Sequence, residues 1–184
     1  LQLRNDDLSA SVNGSWSGKF GPDVSERDRA GNIDMKILFD QAQTTSAWKY
    51  VPLSASPDIS AWMKGAISDG SISDFRIEMA GPVWDMPYGA PVPGSPPGSS
   101  EATGVAGKFY LGFKTSDVTV KYAEGYPALK KLDATFAMNQ NRISIVATDG
   151  LIENMRFSSI KAELADVSAF ENHLVINGQA QGPT

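Results

Sequence analysis

The stretch Lys108–Lys114, with the sequence KFYLGFK, decides the fold class of this chain. Its apolar residues Phe109, Leu111 and Phe113 alternate with the residues between them. Successive side chains of a β-strand point to opposite faces, so the three fall on one side of an extended segment. The stretch therefore predicts a strand with one apolar face.

The same alternation recurs towards the end of the chain. The further apolar runs are Val118/Val120/Tyr122, Leu132/Ala134/Phe136/Met138, Ile143/Ile145/Ala147, Ile160/Ala162/Leu164 and Leu174/Ile176. Short strands at this spacing typically form an antiparallel meander with one apolar face. We therefore predict an all-β segment in which residues 108–178 form the meander, and something must cover its apolar face.

Two positions predict short helical elements among the strands. Ser56–Asp58 has the features of a helix start, with Ser as the cap, Pro at the first helical position and Asp in the first turn. Gly65 is expected to end that helix. Tyr126–Lys131 suggests one helical turn before the Leu132 strand.

Turn and loop signals divide the rest of the chain. Residues 23–31 are rich in charge and predict a solvated turn. Residues 66–79 predict a hairpin that reverses at Asp69–Gly70. The Pro- and Gly-rich residues at about 85–106 predict a long loop. We treat residues 1–184 as a single segment, and we expect it to be a piece of a longer protein.

Composition excludes several classes of function. The 184 residues contain no cysteine, which rules out disulfides and thiolate metal sites. The net charge is −5 and the basic residues are scattered, so nucleic-acid binding and a basic membrane-docking face are both disfavoured. The sequence has no apolar stretch long enough to cross a bilayer.

Catalytic groupings are not evident in the sequence. The single histidine, His173, precedes the Leu174 strand and has no partner motif. There is no G-x-S-x-G motif, and the acidic residues lack metal-ligand spacing. Gly104–Gly107 precedes a strand, which is the wrong context for a nucleotide site. We expect no enzyme, no cofactor and no metal.

The aromatic residues allow two readings. Trp16, Trp48, Trp62 and Trp84 could form a platform for sugars, but large aromatic side chains are more often part of a core or its rim. The phenylalanines allow the same choice between a closed core and a lipid-accessible surface.

A diffuse series of aromatic residues and glycines resembles a known family over about residues 10–182. The segments that carry the resemblance are Trp48–Pro52, Ala61–Met63, Gly70, Gly107–Phe109, Val120–Tyr122, Tyr126–Pro127, Ile143–Gly150 and Ile160–Asp166. Together they resemble the central domain of the YhdP branch of AsmA-like proteins, with TamB as a more distant relative. The Pro-rich residues 91–98 depart from that pattern, and Met86–Tyr88 stands where the family has a different aromatic segment.

The resemblance implies a curved, groove-like sheet in the periplasm of a Gram-negative bacterium, within a protein anchored in the inner membrane. Its implied partners are phospholipid acyl chains, the rest of the same chain and other envelope proteins. Its implied task is phospholipid transport between the inner and outer membranes, without enzymatic activity. The candidate lipid-contacting residues are Phe109, Leu111, Phe113, Val118, Val120, Phe136, Ile143, Ile145, Phe157, Leu164, Leu174 and Ile176.

Two other readings stay open at this stage. The same alternation would also fit a closed β-sandwich with a structural role or with sugar-binding tryptophans. An enzyme is the weakest option, because it would need a cleft in which His173 meets a nucleophile. The distinguishing property is whether the apolar face is open or covered by a second sheet.

Overall fold

The chain forms one open, curved antiparallel sheet. The computed structural model describes residues 1–42, 44–50, 57–86, 88, 107–167, 169, 171 and 173–182. In these residues ten strands lie in a single sheet, connected by two short α-helices and two 3-10 turns. The predictions of an all-β class, an antiparallel meander and a curved sheet are confirmed.

The elements follow one another along the chain with few long connections among the described residues. Their bounds are β1 Gln2–Arg4, β2 Leu8–Ser17, α1 Glu26–Ala30, β3 Asn32–Ala42, a 3-10 turn Thr44–Tyr50, α2 Pro57–Ala66, β4 Ile67–Ser68, β5 Ser71–Pro82, a 3-10 turn Val83–Asp85, β6 Lys108–Val120, β7 Leu129–Asn139, β8 Arg142–Ile152, β9 Met155–Leu164 and β10 Leu174–Gln181.

Strand order follows sequence order almost throughout. The sheet runs β1-β2-β3-β5-β6-β7-β8-β9-β10, and every pair is antiparallel. The two-residue strand β4 lies off this path. It pairs with the last two residues of β6, next to the segment of β6 that pairs with β5. The outermost strands of the described sheet are β1 and β10.

A row of bulges bends the central strands. Asp74 in β5, Asp117 in β6 and Lys131 in β7 have φ angles of 52°, 57° and 51°, and each lies where the register of its strand shifts. The N–H of Asp117 donates to Oδ1 of Asp133 over 2.9 Å, which satisfies the extra residue of that bulge. An extra residue bends its strand and increases the local twist, so neighbouring bulges curve the sheet.

The buried cluster lies on the apolar face beside these bulges. Ala134, Ala147 and Phe157 form it, with 9%, 5% and 2% of their surface exposed. Gly150 lies opposite Phe157, and a Cβ at Gly150 would be only 2.2 Å from Cζ of that ring. The ring therefore covers the glycine, and small residues opposite a large one let the sheet crease tightly.

Two strand assignments differ from the sequence-based prediction. The sequence predicts separate apolar runs at 108–114 and 118–122. In the structure, residues 108–120 form one strand, which continues through a bulge at Asp117. The predicted hairpin at Asp69–Gly70 is wrong. Both β4 and β5 pair antiparallel with β6, so the chain keeps its direction through Asp69–Gly70. Gly70 has φ 64°, and a Cβ there would lie 2.3 Å from the carbonyl oxygen of Ser116, so this close approach to β6 requires glycine.

The helices also differ from expectation. Residues 23–31 contain the helix α1, capped by Ser25, whose Oγ accepts the N–H of Asp28 over 3.1 Å. The helix α2 continues through Gly65 to Ala66. No helical turn precedes β7, which begins at Leu129 because that residue already pairs with Val120. The predicted cap Ser56 and most of the predicted loop, residues 89–106, lie outside the described residues.

Side-chain hydrogen bonds fix the first 3-10 turn at one end of the strands. Thr44 Oγ1 donates to the carbonyl of Gly70 over 2.8 Å, and Ser46 Oγ donates to Oδ1 of Asp7 over 2.7 Å. Both residues are buried. This turn and α2 therefore lie along one border of the sheet, which we call the α2 margin. The opposite border, where β2 ends and β5 ends, is the far margin.

Candidate functional site

The strand register places the candidate residues on one face. Phe113 is opposite Phe136, which is opposite Ile145, and Ile145 is opposite Ala162, which is opposite Ile176. Residues directly opposite one another point to the same side of a sheet. Continuing the pairing brings all twelve residues together on this face, which we call the apolar face. They are Phe109, Leu111, Phe113, Val118, Val120, Phe136, Ile143, Ile145, Phe157, Leu164, Leu174 and Ile176.

The twelve residues differ in how much surface they expose. Val118 and Phe157 are 1% and 2% exposed, so they pack the crease of the sheet and offer almost no surface to a ligand. Leu174 and Ile176 on β10 are 54% and 60% exposed. The other eight are half-buried by their neighbours. Contact of any of them with lipid stays a prediction.

A ladder of four phenylalanine rings crosses the middle of the apolar face. The centroids of Phe39 and Phe75 are 4.0 Å apart in a stacked pair, and those of Phe113 and Phe136 are 4.9 Å apart, also stacked. An edge-to-face contact of 5.7 Å joins Phe75 to Phe113. The ladder spans β3, β5, β6 and β7, at right angles to the strands. Each such pair contributes about 0.5–1.5 kcal/mol beyond its buried area.

The apolar face extends beyond the predicted residues into the first half of the chain. Met35 and Ile37 of β3 lie opposite Met79 and Ile77 of β5, and Ile77 lies opposite Leu111. The candidate residues were confined to 108–178 and missed this half. The signal was the same alternation, present as Ile33, Met35, Ile37 and Phe39.

Cross-strand partners of the twelve residues carry no charge. Every partner given by the register is apolar or glycine. The polar residue nearest the middle of the face is Thr115, whose Oγ1 accepts the N–H of Ala134 over 3.1 Å and lies 3.2 Å from the carbonyl of Leu132. That hydroxyl is satisfied by the backbone, so the face offers hydrocarbon to a ligand.

The opposite face of the sheet is polar and ion-paired. Glu78 lies between Lys36 and Lys108, and Arg156 contacts Asp149 through two hydrogen bonds of 2.7 and 2.5 Å. The hydrogen bond from Lys108 lowers the pKa of Glu78, and the hydrogen bond from Arg156 lowers the pKa of Asp149. These carboxylates therefore stay ionised at neutral pH, and this face is adapted to water.

Within the described residues, no second sheet lies above the apolar face. All ten strands of the described residues lie in the same sheet, and the strand pairs in extensive contact are hydrogen-bonded neighbours. The closed β-sandwich is therefore wrong for this part of the chain. The sandwich and the open sheet share the same alternation, so the sequence pattern could not separate them.

The three tryptophans whose side chains are described do not form one platform. Trp16 and Trp84 lie at the far margin, whereas Trp62 lies at the α2 margin. The side chain of Trp48 is outside the described part of the chain.

Within the described residues, His173 is exposed just before β10, and no group of three His, Asp or Glu side chains could hold a metal ion. Among those residues, neither helix has the length and hydropathy needed to span a bilayer.

Comparison with known proteins gives one family. The sequence model described as YhdP protein matches residues 1–184. The chain belongs to the YhdP family. The resemblance to the YhdP branch of AsmA-like proteins is thereby confirmed, and it fits a bacterial envelope protein. No curated protein and no solved structure matches this YhdP-family chain.

Proposed function

We propose that this YhdP-family chain is a periplasmic segment of a groove that carries phospholipid between the inner and outer membranes. The acyl chains lie on the apolar face, and no catalytic step is involved. The single observation that carries the proposal is one uncharged face that continues across the strands from β2 to β10 and that no other described element covers.

The energetics of acyl chains support this assignment. Burial of each CH₂ group stabilises a lipid chain by roughly 0.8 kcal/mol. A soluble protein seldom leaves a continuous apolar surface of several strands uncovered unless the surface binds something. A saturated chain needs hydrocarbon contact along its length and no hydrogen-bond partner, which is what the twelve residues and their partners supply.

The phenylalanine ladder supports a path that runs across the strands. Phe39, Phe75, Phe113 and Phe136 lie on successive strands, so the ladder crosses the strands. A chain extended in the same direction touches each strand in turn and meets apolar residues throughout. We infer that lipid moves across the strands, from β2 towards β10 or the reverse.

Strand β10 supports continuation of the groove in the rest of the protein. Leu174, Val175 and Ile176 are 54%, 55% and 60% exposed, and β10 contains no charged residue or proline. Natural edge strands are normally protected by such residues against pairing with other strands. A further strand of the same protein would cover this edge and prolong the apolar face.

Two adjacent residues of β8 allow a matched test of the proposal. Ile145 points to the apolar face, and Val146 points to the polar face with 41% of its surface exposed. In the full-length protein, a photo-crosslinking amino acid at Ile145 or at Phe113 should capture phospholipid in cells. The same amino acid at Val146 should capture little, and mass spectrometry of the adducts gives the measurement.

A transport assay extends the same comparison. Phe113→Asp should block phospholipid passage between the membranes while the protein still accumulates, because a carboxylate interrupts the hydrocarbon path. Val146→Asp should leave passage unchanged. Equal capture of lipid at Ile145 and Val146, or normal passage with Phe113→Asp, would remove the basis for the proposal.

A further inference from the structure

The apolar face ends at the α2 margin in a group of exposed aromatic rings. Val120 at the end of β6 pairs with Leu129 at the start of β7. The connection between them carries Tyr122 and Tyr126, whose ring centroids are 5.9 Å apart. Trp62 of α2 donates from Nε1 to the carbonyl of Tyr122 over 3.3 Å. We call Trp62, Tyr122 and Tyr126 the aromatic rim.

The aromatic rim is fixed to the sheet but open to water. The N–H of Lys121 donates to the carbonyl of Ala66 over 2.7 Å, so α2 and the connection are held together. Trp62, Tyr122 and Tyr126 nevertheless expose 47%, 40% and 66% of their surface. Rings with a polar tip that stay exposed beside an apolar surface are typical of a boundary between hydrocarbon and water.

An exposed lysine lies beside the aromatic rim. Lys121 is exposed beside the aromatic rim and makes no ion pair with any described residue. At the far margin Trp16 contacts Phe20, and two of the cations there form ion pairs. Lys19 pairs with Asp28 over 3.4 Å, and Arg27 pairs with Asp85 over 2.6 Å. Lys121 is therefore free to pair with an anionic group of a ligand.

We propose that the aromatic rim contacts the glycerol-phosphate end of a phospholipid whose acyl chains lie on the apolar face. This rests on the proposed function and names its headgroup subsite. The rings lie at the level of the ester groups, and Lys121 faces the phosphate. The negative phosphodiester is common to zwitterionic and anionic phospholipids, so the rim binds both classes.

The test locates which part of the lipid lies at each position. Full-length protein carries a benzophenone amino acid at Tyr126, at Phe113 or at Trp84, in cells whose phospholipids are labelled with ³²P. After irradiation, mild alkaline deacylation cleaves the acyl esters. An adduct formed through an acyl chain then loses its ³²P, whereas one formed through glycerol or the headgroup keeps it.

We expect the Tyr126 adduct to keep its ³²P and the Phe113 adduct to lose it, with little lipid captured at Trp84. Lys121→Gln should lower ³²P capture at Tyr126 several-fold and leave capture at Phe113 unchanged. Lys19→Gln, at the paired lysine of the far margin, should change neither.

Other results would count against the inference in distinct ways. Loss of ³²P at both Tyr126 and Phe113 would mean that the rim touches acyl chains, and the headgroup subsite would fall while the groove stands. A protein or glycan adduct at Tyr126, or equal ³²P retention at Trp84, would overturn the subsite as well. Failure to capture any lipid at Phe113 would overturn the groove itself.

Discussion

Phe157 is the residue on which the crease of the sheet depends most. Its ring is 2% exposed and packs with Ala134 and Ala147 over Gly150. We expect Phe157→Ala to lower the free energy of unfolding by about 3–5 kcal/mol, since it leaves a cavity among residues that cannot fully collapse. Urea unfolding measures the change. Phe20→Ala, at a ring that is 80% exposed, is the matched control and should change stability little.

Gly150 gives a second test of the same contact. A Cβ there would lie 2.2 Å from the Phe157 ring, so Gly150→Ala should cost about 1–3 kcal/mol of unfolding free energy through overpacking. The double variant Gly150→Ala/Phe157→Leu should lose less than the sum of the single changes, because the smaller side chain leaves room for the methyl group. Additive losses in a double-mutant cycle would show that the two residues do not interact.

At the residue scale, the sequence predicts the face to which a side chain points better than it predicts how much of that side chain is exposed. Alternation alone put Phe113, Phe136 and Ile145 on one side, and the register places them there. It could not show that Val118 and Phe157 are buried, because their burial depends on a crease formed by residues of several strands. It also did not show the ladder, since ring contacts depend on which strands become neighbours.

Bulges are the elements that shape the sheet, and Asp117 tests one of them. Its φ of 57° suits glycine and is tolerated by Asp, but it is unfavourable for a β-branched residue. We expect Asp117→Gly to be nearly neutral and Asp117→Val to lower the free energy of unfolding by about 1–3 kcal/mol. Chemical denaturation checks both values. Equal stability of the two variants would mean that the bulge is not retained.

The hairpin of β8 and β9 carries a pH-dependent ion pair. Arg156 lowers the pKa of Asp149 below its unfolded value, so the pair stabilises the fold above about pH 4 and the effect is lost as pH falls further. We expect the coupling energy of Asp149→Asn and Arg156→Gln to be small but measurable at neutral pH, since both side chains are partly exposed. It should decrease as the pH is lowered below about 4, and a coupling that does not change with pH would argue against an ionic origin.

Local turn signals were the least reliable part of the sequence at the element scale. Asp69–Gly70 has the composition of a hairpin turn, yet the chain continues along β6 because β4 and β5 pair with the same neighbour. Asp117 likewise interrupts the alternation without ending the strand. In both cases the tertiary pairing partner decided the local conformation, and a single sequence does not name that partner.

In the described part of the chain, the sheet is a series of strand pairs, and its first and last strands are not paired with each other. Each strand is stabilised by its immediate neighbours, as in repeat proteins, so stability should vary along the sheet. We expect amide hydrogen exchange to be slowest in β6–β8, beside the buried cluster, and fastest in β1 and β10, which pair on one side only. Exchange mass spectrometry measures the gradient, and uniform protection from β1 to β10 would contradict it.

Openness is the property of the whole molecule that the sequence left undecided. The alternating pattern fits both an open groove and a closed sandwich, because each needs one apolar face per strand. The family resemblance favoured the groove, and the single sheet agrees with that expectation.

Strand order along the sheet also bears on how such a protein can change in length. A strand and the antiparallel strand that follows it, such as β7 with β8, return the chain to its starting border with its side chains in the same orientation. Gain or loss of one such unit would leave the pairing of the remaining strands and the continuity of the apolar face intact. Gain or loss of a single strand would leave the chain at the opposite border of the sheet, so the next strand would run in the wrong direction. A sheet of this kind can therefore be lengthened or shortened in steps of two strands while its apolar face stays continuous.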